Sequence, residues 1–452
     1  MGKRFRHRED TPLSDRGEVE YDLTTKELEK LREKLNSSVH ETRVEALKEL
    51  SNFLVEPSEP LNDFILEGGA VELLEKFLAG TDFDERLQAT WCITSNGKTI
   101  RLSNIAAGTP ELCAKVLSTV PYLISFLEEP NIQLQEQTAW ALGNIAVEGE
   151  EFRKRLAANG AITPLVKLLR SDNPELVQTV CFALSSLARN HTHFEEFFKA
   201  GVSELLLQHL KNDKVPSEVS EITWVLAYLT SGKEEYSTTL LNDGLAPLLV
   251  KHMPVMADKG SLAIPIIRTI GNIASCSDWH ADSLIQQPGF LANLVPYINS
   301  ELRALKKESL WVLSNLTAGT LEHVTRVLDA GILPCLVEIA THSNFDIRKE
   351  AAYITHTSNL SYAEQAPTNA PPSLAEFLDF VKTQDPETIR LGLHYVDLVL
   401  QETPRGKELL DQLQGIDALE SVSLIEDPEL KYQAGLLMDK YYGETAEMTS
   451  TC

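Results

Sequence analysis

The chain has 452 residues, 43% of them hydrophobic, with 66 acidic against 41 basic side chains and a formal net charge of −25. That length accommodates two or three ordinary domains or one long repeat array, and the hydrophobic share is enough for an extended core. The acidic excess argues against nucleic acid and anionic membrane as partners and favours a basic one.

Taken in order, residues 1–22 read as a polar, disordered tail. Its start, MGKRFRHRED, is basic, but no apolar stretch follows it as in a secretory signal. Thr24-Thr-Lys-Glu27 has the spacing of a capping box and predicts the first helix. From there the pattern is helical to about residue 443, broken at Gly or Pro positions such as Gly68-Gly69, Gly160, Pro174, Gly201, Pro216, Gly244 and Gly289. Residues 23–443 are therefore expected to form one all-α domain, without strand-like alternation. Apolar residues at helical spacing in Ala161–Leu169 return at 245–250 and 332–337, always a similar distance before the next long helix. Each unit thus predicts a middle helix and a longer third one. Two segments interrupt the array. Ser95–Ser103 reads as an insertion within a third helix, and 361–373, with Pro367, Pro371 and Pro372, reads as a loop replacing a helix. Residues 444–452 form a second polar tail. No run of 18 apolar residues predicts a membrane span. Six scattered cysteines without a C-x-x-C pair suggest reduced thiols in a cytosolic or nuclear compartment.

The third helices carry a recurring pair. Trp140-Ala-Leu-Gly-Asn144, Trp224-Val-Leu-Ala-Tyr228 and Trp311-Val-Leu-Ser-Asn315 place an aromatic and a polar residue four apart. Phe182 with Ser186, and Arg268 with Asn272, occupy the same phase. Anchors 140, 182, 224, 268, 311 and 353 are spaced 42, 42, 44, 43 and 42 residues apart. A period of that size predicts a solenoid of stacked helical units.

Residues four apart share a helix face, so stacking would align one aromatic and one amide per unit along a groove. Asn amides can donate to and accept from a peptide backbone irrespective of its sequence. Parallel indoles offer slots for the methylene stems of Lys or Arg, with roughly 0.5–2 kcal/mol from each ring face. The competing expectation makes the Trp residues core and the Asn residues caps. Arg268 at an aromatic phase favours an exposed face, because a buried Arg without partners is costly.

These motifs resemble importin-α, the armadillo-repeat receptor for basic nuclear localisation signals, from about Thr25 to Glu444. "WALGNIAVEG" (140–149), "ITWVLAYLTSG" (222–232), "RTIGNIAS" (268–275) and "KKESLWVLSNLTAG" (306–319) look like its second, fourth, fifth and sixth repeats. "ALSSLARN" (183–190) resembles the third, and residues 418–444 resemble the closing repeat. The resemblance implies a right-handed superhelical armadillo solenoid with no cofactor and no catalytic activity. It implies a major peptide site using Trp140, Asn144, Glu148, Glu221, Trp224 and Tyr228, with Trp91, Asn104 and Gly108 on the first full repeat. A minor site would use Arg268, Asn272, Trp311, Asn315 and Glu350.

Several positions depart from the family pattern. Phe182 and Ser186 replace a Trp and an Asn, Tyr353 and Thr357 do so in the seventh repeat, and Cys113 replaces a threonine. The insertion separates Trp91 from Asn104 by thirteen residues, about 220° around a continuous helix. The family's long Arg-rich importin-β-binding segment has no counterpart, which argues against importin-β as a partner. The expected function is a cargo adaptor for proteins with Lys/Arg-rich extended signals, working between cytoplasm and nucleus. The alternative is a scaffold of the same fold that binds another protein without importin-β-dependent transport. Other chemistry is poorly supported. Gly97-Lys98-Thr99 lacks the earlier glycine and the strand of a phosphate loop, and His191-Thr-His193 lacks a third metal ligand. Trp279, off the ladder, reads as a loop contact in preference to a partner-facing aromatic.

Overall fold

A computed structural model describes residues 23–54, 58–94, 110–190, 193–212, 215–344, 347–348, 350–351, 354, 374–402 and 405–443. The expectations for both tails, for the insertion at 95–103 and for the loop at 361–373 lie outside these residues. The described residues form helices and turns with no strand, the all-α architecture that the period predicts. The chain divides into two compact units, Met1–Asp243 and Gly244–Cys452.

In the first unit, helices Thr25–Leu35 and His40–Phe53 precede sets of three. One set is Glu150–Ala158, Ile162–Leu168 and Pro174–Leu187; the next is Phe194–Lys199, Val202–Lys211 and Pro216–Thr230. The third member is the longest in each. The second unit repeats the plan, for example in Asp278–Ile285, Phe290–Ile298 and Arg303–Thr317, and ends on Pro428–Tyr442.

Local sequence explains where these helices begin. Thr24 accepts from the Glu27 N–H while the Glu27 carboxylate accepts from the Thr24 N–H, completing the capping box. Asn131 Oδ1 accepts from the Leu134 N–H at 3.0 Å, and Asn173 Oδ1, one repeat later, from the Leu176 N–H at 2.9 Å. Between first and second helices the chain turns through a left-handed residue. Gly201, at φ +86° with no atom within 4 Å of a hypothetical β-carbon, is there for its backbone conformation and not for space. In the last repeat Gln414 takes the same turn at φ 57°, at a strain of roughly 1–2 kcal/mol.

Third helices pack side by side. Ile132–Glu148 lies between Phe83–Thr94 and Pro174–Leu187, and the latter also packs on Pro216–Thr230; Ile264–Ala274 packs on Arg303–Thr317. Their inward residues are Leu142, Ile145, Leu184, Val225, Ile270 and Leu313, all buried, each contributing roughly 1.5–3 kcal/mol. Polar links run from one repeat to the next. Arg43 pairs with Glu85 at 2.6 Å and Arg86 with Glu129 at 2.6 Å. The Tyr297 hydroxyl donates to the Met253 carbonyl at 2.5 Å. The partners are 42, 43 and 44 residues apart, so the sequence period is also the contact period.

Candidate functional site

In the first unit, helix Ile132–Glu148 presents Trp140, Asn144 and Glu148 on one face, all half-buried, while Ala141, Leu142 and Ile145 between them are wholly buried. The periodicity of 3.6 separates the two sets: the core takes one stripe and the ladder takes its edge. The Asn144 amide makes no hydrogen bond to a described residue, so its donors and acceptor stay open to a ligand. The next rung differs. The Phe182 ring lies against the Trp140 ring, centroids 4.8 Å apart and planes 31° apart, and Phe182 is only 8% exposed. That contact closes the slot between these two rungs to a lysine stem. Ser186, at the amide position, is fully buried with no hydrogen-bond partner among the described residues. Two repeats on from Trp140, helix Pro216–Thr230 carries Glu221, Trp224 and Tyr228, again half-buried. Trp224 and Tyr228 stack along the helix at 6.0 Å and 29°.

In the second unit, Arg268 and Asn272 share a face of Ile264–Ala274, and Trp311 and Asn315 share one of Arg303–Thr317. Arg268 is not left unpaired. Its guanidinium makes a two-point ion pair with the Glu308 carboxylate on the neighbouring third helix, the Nε–Oε2 arm at 3.3 Å. The Asn315 amide nitrogen donates to the Gly271 carbonyl at 3.2 Å, which commits part of it to joining two repeats. Glu350 is half-buried on a helical residue.

On the first full repeat, Trp91 is half-buried and its indole nitrogen is enclosed without a described partner. Asn104 and Gly108, expected beside it, lie outside the described residues, as do Tyr353, Thr357 and the His191-Thr192 pair. Cys113 is wholly buried and faces the core. Trp279 belongs to a helix, not a loop: it is the second residue of Asp278–Ile285, 49% exposed, with its ring edge-on to His280.

Three positioning residues escaped the sequence reading. A β-carbon on Gly143 would come within 2.5 Å of the Phe182 ring and 3.2 Å of the Ala183 backbone, and one on Gly271 would collide with the Trp311 ring. Glycine one residue before the ladder amide therefore admits the next repeat's aromatic. Glu308 stands three residues before Trp311, the phase at which Glu221 precedes Trp224; that shared phase was its available signal. A depression of about 850 Å³ on helices Phe194–Lys199, Val202–Lys211 and Glu234–Asn242 holds no ladder residue. Its Lys199 is paired with Glu195 at 2.6 Å and its Ser203 with Asp243 at 2.5 Å, so it shows no single charge preference.

Comparison with known proteins agrees with the repeat fold. The model for the armadillo/β-catenin-like repeat matches residues 111–147, a stretch ending on the Trp140 helix. Importin subunit alpha-9 of Arabidopsis thaliana is 32% identical over 89% of this chain and 80% of its own length. Importin subunit alpha-2 of Oryza sativa subsp. japonica is 31% identical over 90% of this chain and 79% of its own. Among solved structures, an engineered protein superposes with a TM-score of 0.79 at 22% identity, covering 92% of this chain and 98% of that one. A designed armadillo repeat protein matches with a TM-score of 0.50 at 24% identity, over 53% of this chain and all of that one. These two likenesses bear on the fold alone. No helix among the described residues is long and apolar enough to cross a membrane. The 42-residue period and the armadillo-repeat match agree with relatives that are 31–32% identical over most of both chains: the chain belongs to the importin-α family of armadillo-repeat proteins.

Proposed function

We propose that the protein is a non-enzymatic nuclear import adaptor that binds Lys/Arg-rich extended signal peptides on the ladder face of its first unit. The observation that carries this reading is the rung at Trp140 and Asn144. One face of one helix offers an accessible indole, an amide with no described partner, and Glu148 a turn further on, while the core is carried by other residues. The amide would hold the peptide backbone, the indole would take a methylene stem and its cation, and the carboxylates of Glu148 and Glu221 would select the positive head. Trp224 and Tyr228 would continue the hold. Because Phe182 closes the slot beside Trp140, stem binding would fall on the outer face of Trp140 and around Trp224. In the second unit Arg268, Asn272, Trp311, Asn315 and Glu350 would make a weaker site, since Arg268 is already tied to Glu308. Its relatives bear the name importin subunit alpha, which supports cargo proteins as partners and exchange between cytoplasm and nucleus.

The test is a titration of the full chain with a fluorescent Lys/Arg-rich peptide and with the same peptide carrying Gln at every basic position, at roughly 50 and 200 mM salt. The basic peptide should bind, more weakly at the higher salt, and the Gln peptide should not. Equal affinity for the two peptides contradicts the proposal.

A further inference from the structure

The side on which one third helix receives the next can be followed from repeat to repeat. Gly143, eleven residues after the start of helix Ile132–Glu148, meets the Phe182 ring of the following repeat. Asp397 stands at the same distance into helix Pro386–Glu402 and reaches forward to Lys440 at 3.1 Å and to the Tyr441 hydroxyl at 2.8 Å. Arg390, two turns before it, reaches Glu429 at 3.0 Å, and Leu393 between them is 1% exposed. Forty-two residues on, in helix Pro428–Tyr442, the same three positions hold Tyr432, Gly435 and Asp439. Among the described residues this helix packs on Pro386–Glu402 and Gly415–Val422, both earlier in the chain. Its forward side is open. Tyr432 is 68% exposed and Leu436 48%, and a β-carbon on Gly435 would meet no atom within 4 Å.

Terminal repeats of such arrays ordinarily carry a polar outer face. An exposed tyrosine and leucine on that side call for a cover. Glycine inside a helix is unfavourable. At Gly143 the neighbouring ring explains it; at Gly435 no described residue does. A helix of another molecule would, because a missing side chain lets two helices approach closely.

Charge identifies the partner. Glu429 and Lys440 are taken by Arg390 and Asp397. Lys431 and Asp439 are exposed, make no ion pair with a described residue, and stand four residues either side of Gly435 in one row. Two copies of this helix crossing antiparallel at Gly435 bring Lys431 of each against Asp439 of the other, twice over. A parallel crossing would set like charges together. The row is therefore self-complementary, as a two-fold interface requires.

We propose that the forward face of helix Pro428–Tyr442 is a self-association surface. A second copy of the chain docks on it antiparallel about Gly435, with Tyr432 and Leu436 as the apolar contact and two Lys431–Asp439 pairs fixing the register. The net charge of −25 on each chain opposes the approach, so the association is reversible and depends on concentration.

The experiment is sedimentation equilibrium of the full chain and its variants. The parent should pass from monomer to dimer over roughly 1–100 µM, as suits a small interface. Lys431→Glu and Asp439→Lys each set like charges together and should each weaken association roughly tenfold or more. An equimolar mixture of these two single variants restores both attractive pairs and should dimerise where neither variant does alone; a misfolded variant would not be rescued in this way. Gly435→Leu, facing solvent in the monomer, should keep the circular dichroism of the parent and lose the dimer. A parent that stays monomeric at the highest concentration overturns the proposal, and if removal of residues 444–452 then brings the dimer out, that tail is the occupant of the face. A dimer that survives both charge variants, or a mixture that is not rescued, overturns it as well.

Discussion

The Phe182 ring rests on Gly143 of the preceding repeat, where a β-carbon would stand 2.5 Å from it. This contact sets the spacing of two third helices and turns Phe182 onto Trp140. Gly143→Ala gains about 1 kcal/mol in helix propensity but must displace Phe182 and the Ala183 backbone, a cost of roughly 1–3 kcal/mol. The variant should melt below the parent. Gly435→Ala, on an exposed helical position with nothing within 4 Å, keeps the propensity gain and should melt above it. Calorimetry of the two variants checks the contrast, and a rise in Tm for Gly143→Ala would show that the rung is not tightly packed.

The Arg268–Glu308 pair makes a second prediction. Its side chains are 36% and 18% exposed, so solvent screens much of the attraction. Glu308→Gln should destabilise the chain by no more than about 1 kcal/mol. Denaturant unfolding in low and high salt measures it, and the loss should shrink as salt rises.

A pH effect is expected where His40 meets Asp82, Nε2 to Oδ1 at 3.0 Å. The Asp82 carboxylate raises the His40 pKa above its ordinary 6.5, and the hydrogen bond from the Glu85 N–H, then the adjacent His40 imidazole, lower that of Asp82 below 3.8. A raised histidine stabilises fully below its unfolded pKa and loses this as pH rises through the folded value. A lowered aspartate stabilises above its unfolded pKa and loses this as pH falls through the folded one. The pair therefore contributes between about pH 4 and pH 6.5 and fades on the alkaline side. The Tm difference between parent and His40→Gln should be present near pH 5.5 and shrink by pH 8.5. A difference that is the same at both pH values would mean the pair carries no proton linkage.

The repeat, the long third helices and the Thr24 cap were legible because each is written in local spacing: Leu and Ile at helical intervals, a Trp every 42 residues or so, a Thr three before a Glu. The half-buried rungs at Trp140, Asn144, Trp224 and Trp311 were legible for the same reason. What was not legible depends on which residue the neighbouring repeat places opposite. Phe182 could be read as a changed rung, but not as a ring folded onto Trp140. Arg268 could be judged too polar for a core, yet its partner Glu308 lies forty residues away on another helix. Asn315 looked like a free clamp, and the bond it makes to the Gly271 carbonyl exists only once two repeats stack.

The central claim is that the Trp140–Asn144 rung binds basic peptide. Its most direct measurement is the dissociation constant of a Lys/Arg-rich peptide for the parent chain and for the Trp140→Ala, Asn144→Ala double variant, with equal folding of both checked by circular dichroism. Losing one indole face and one backbone clamp should cost roughly 1–3 kcal/mol, about 5- to 150-fold in affinity. A folded double variant that binds the peptide as tightly as the parent would contradict the account.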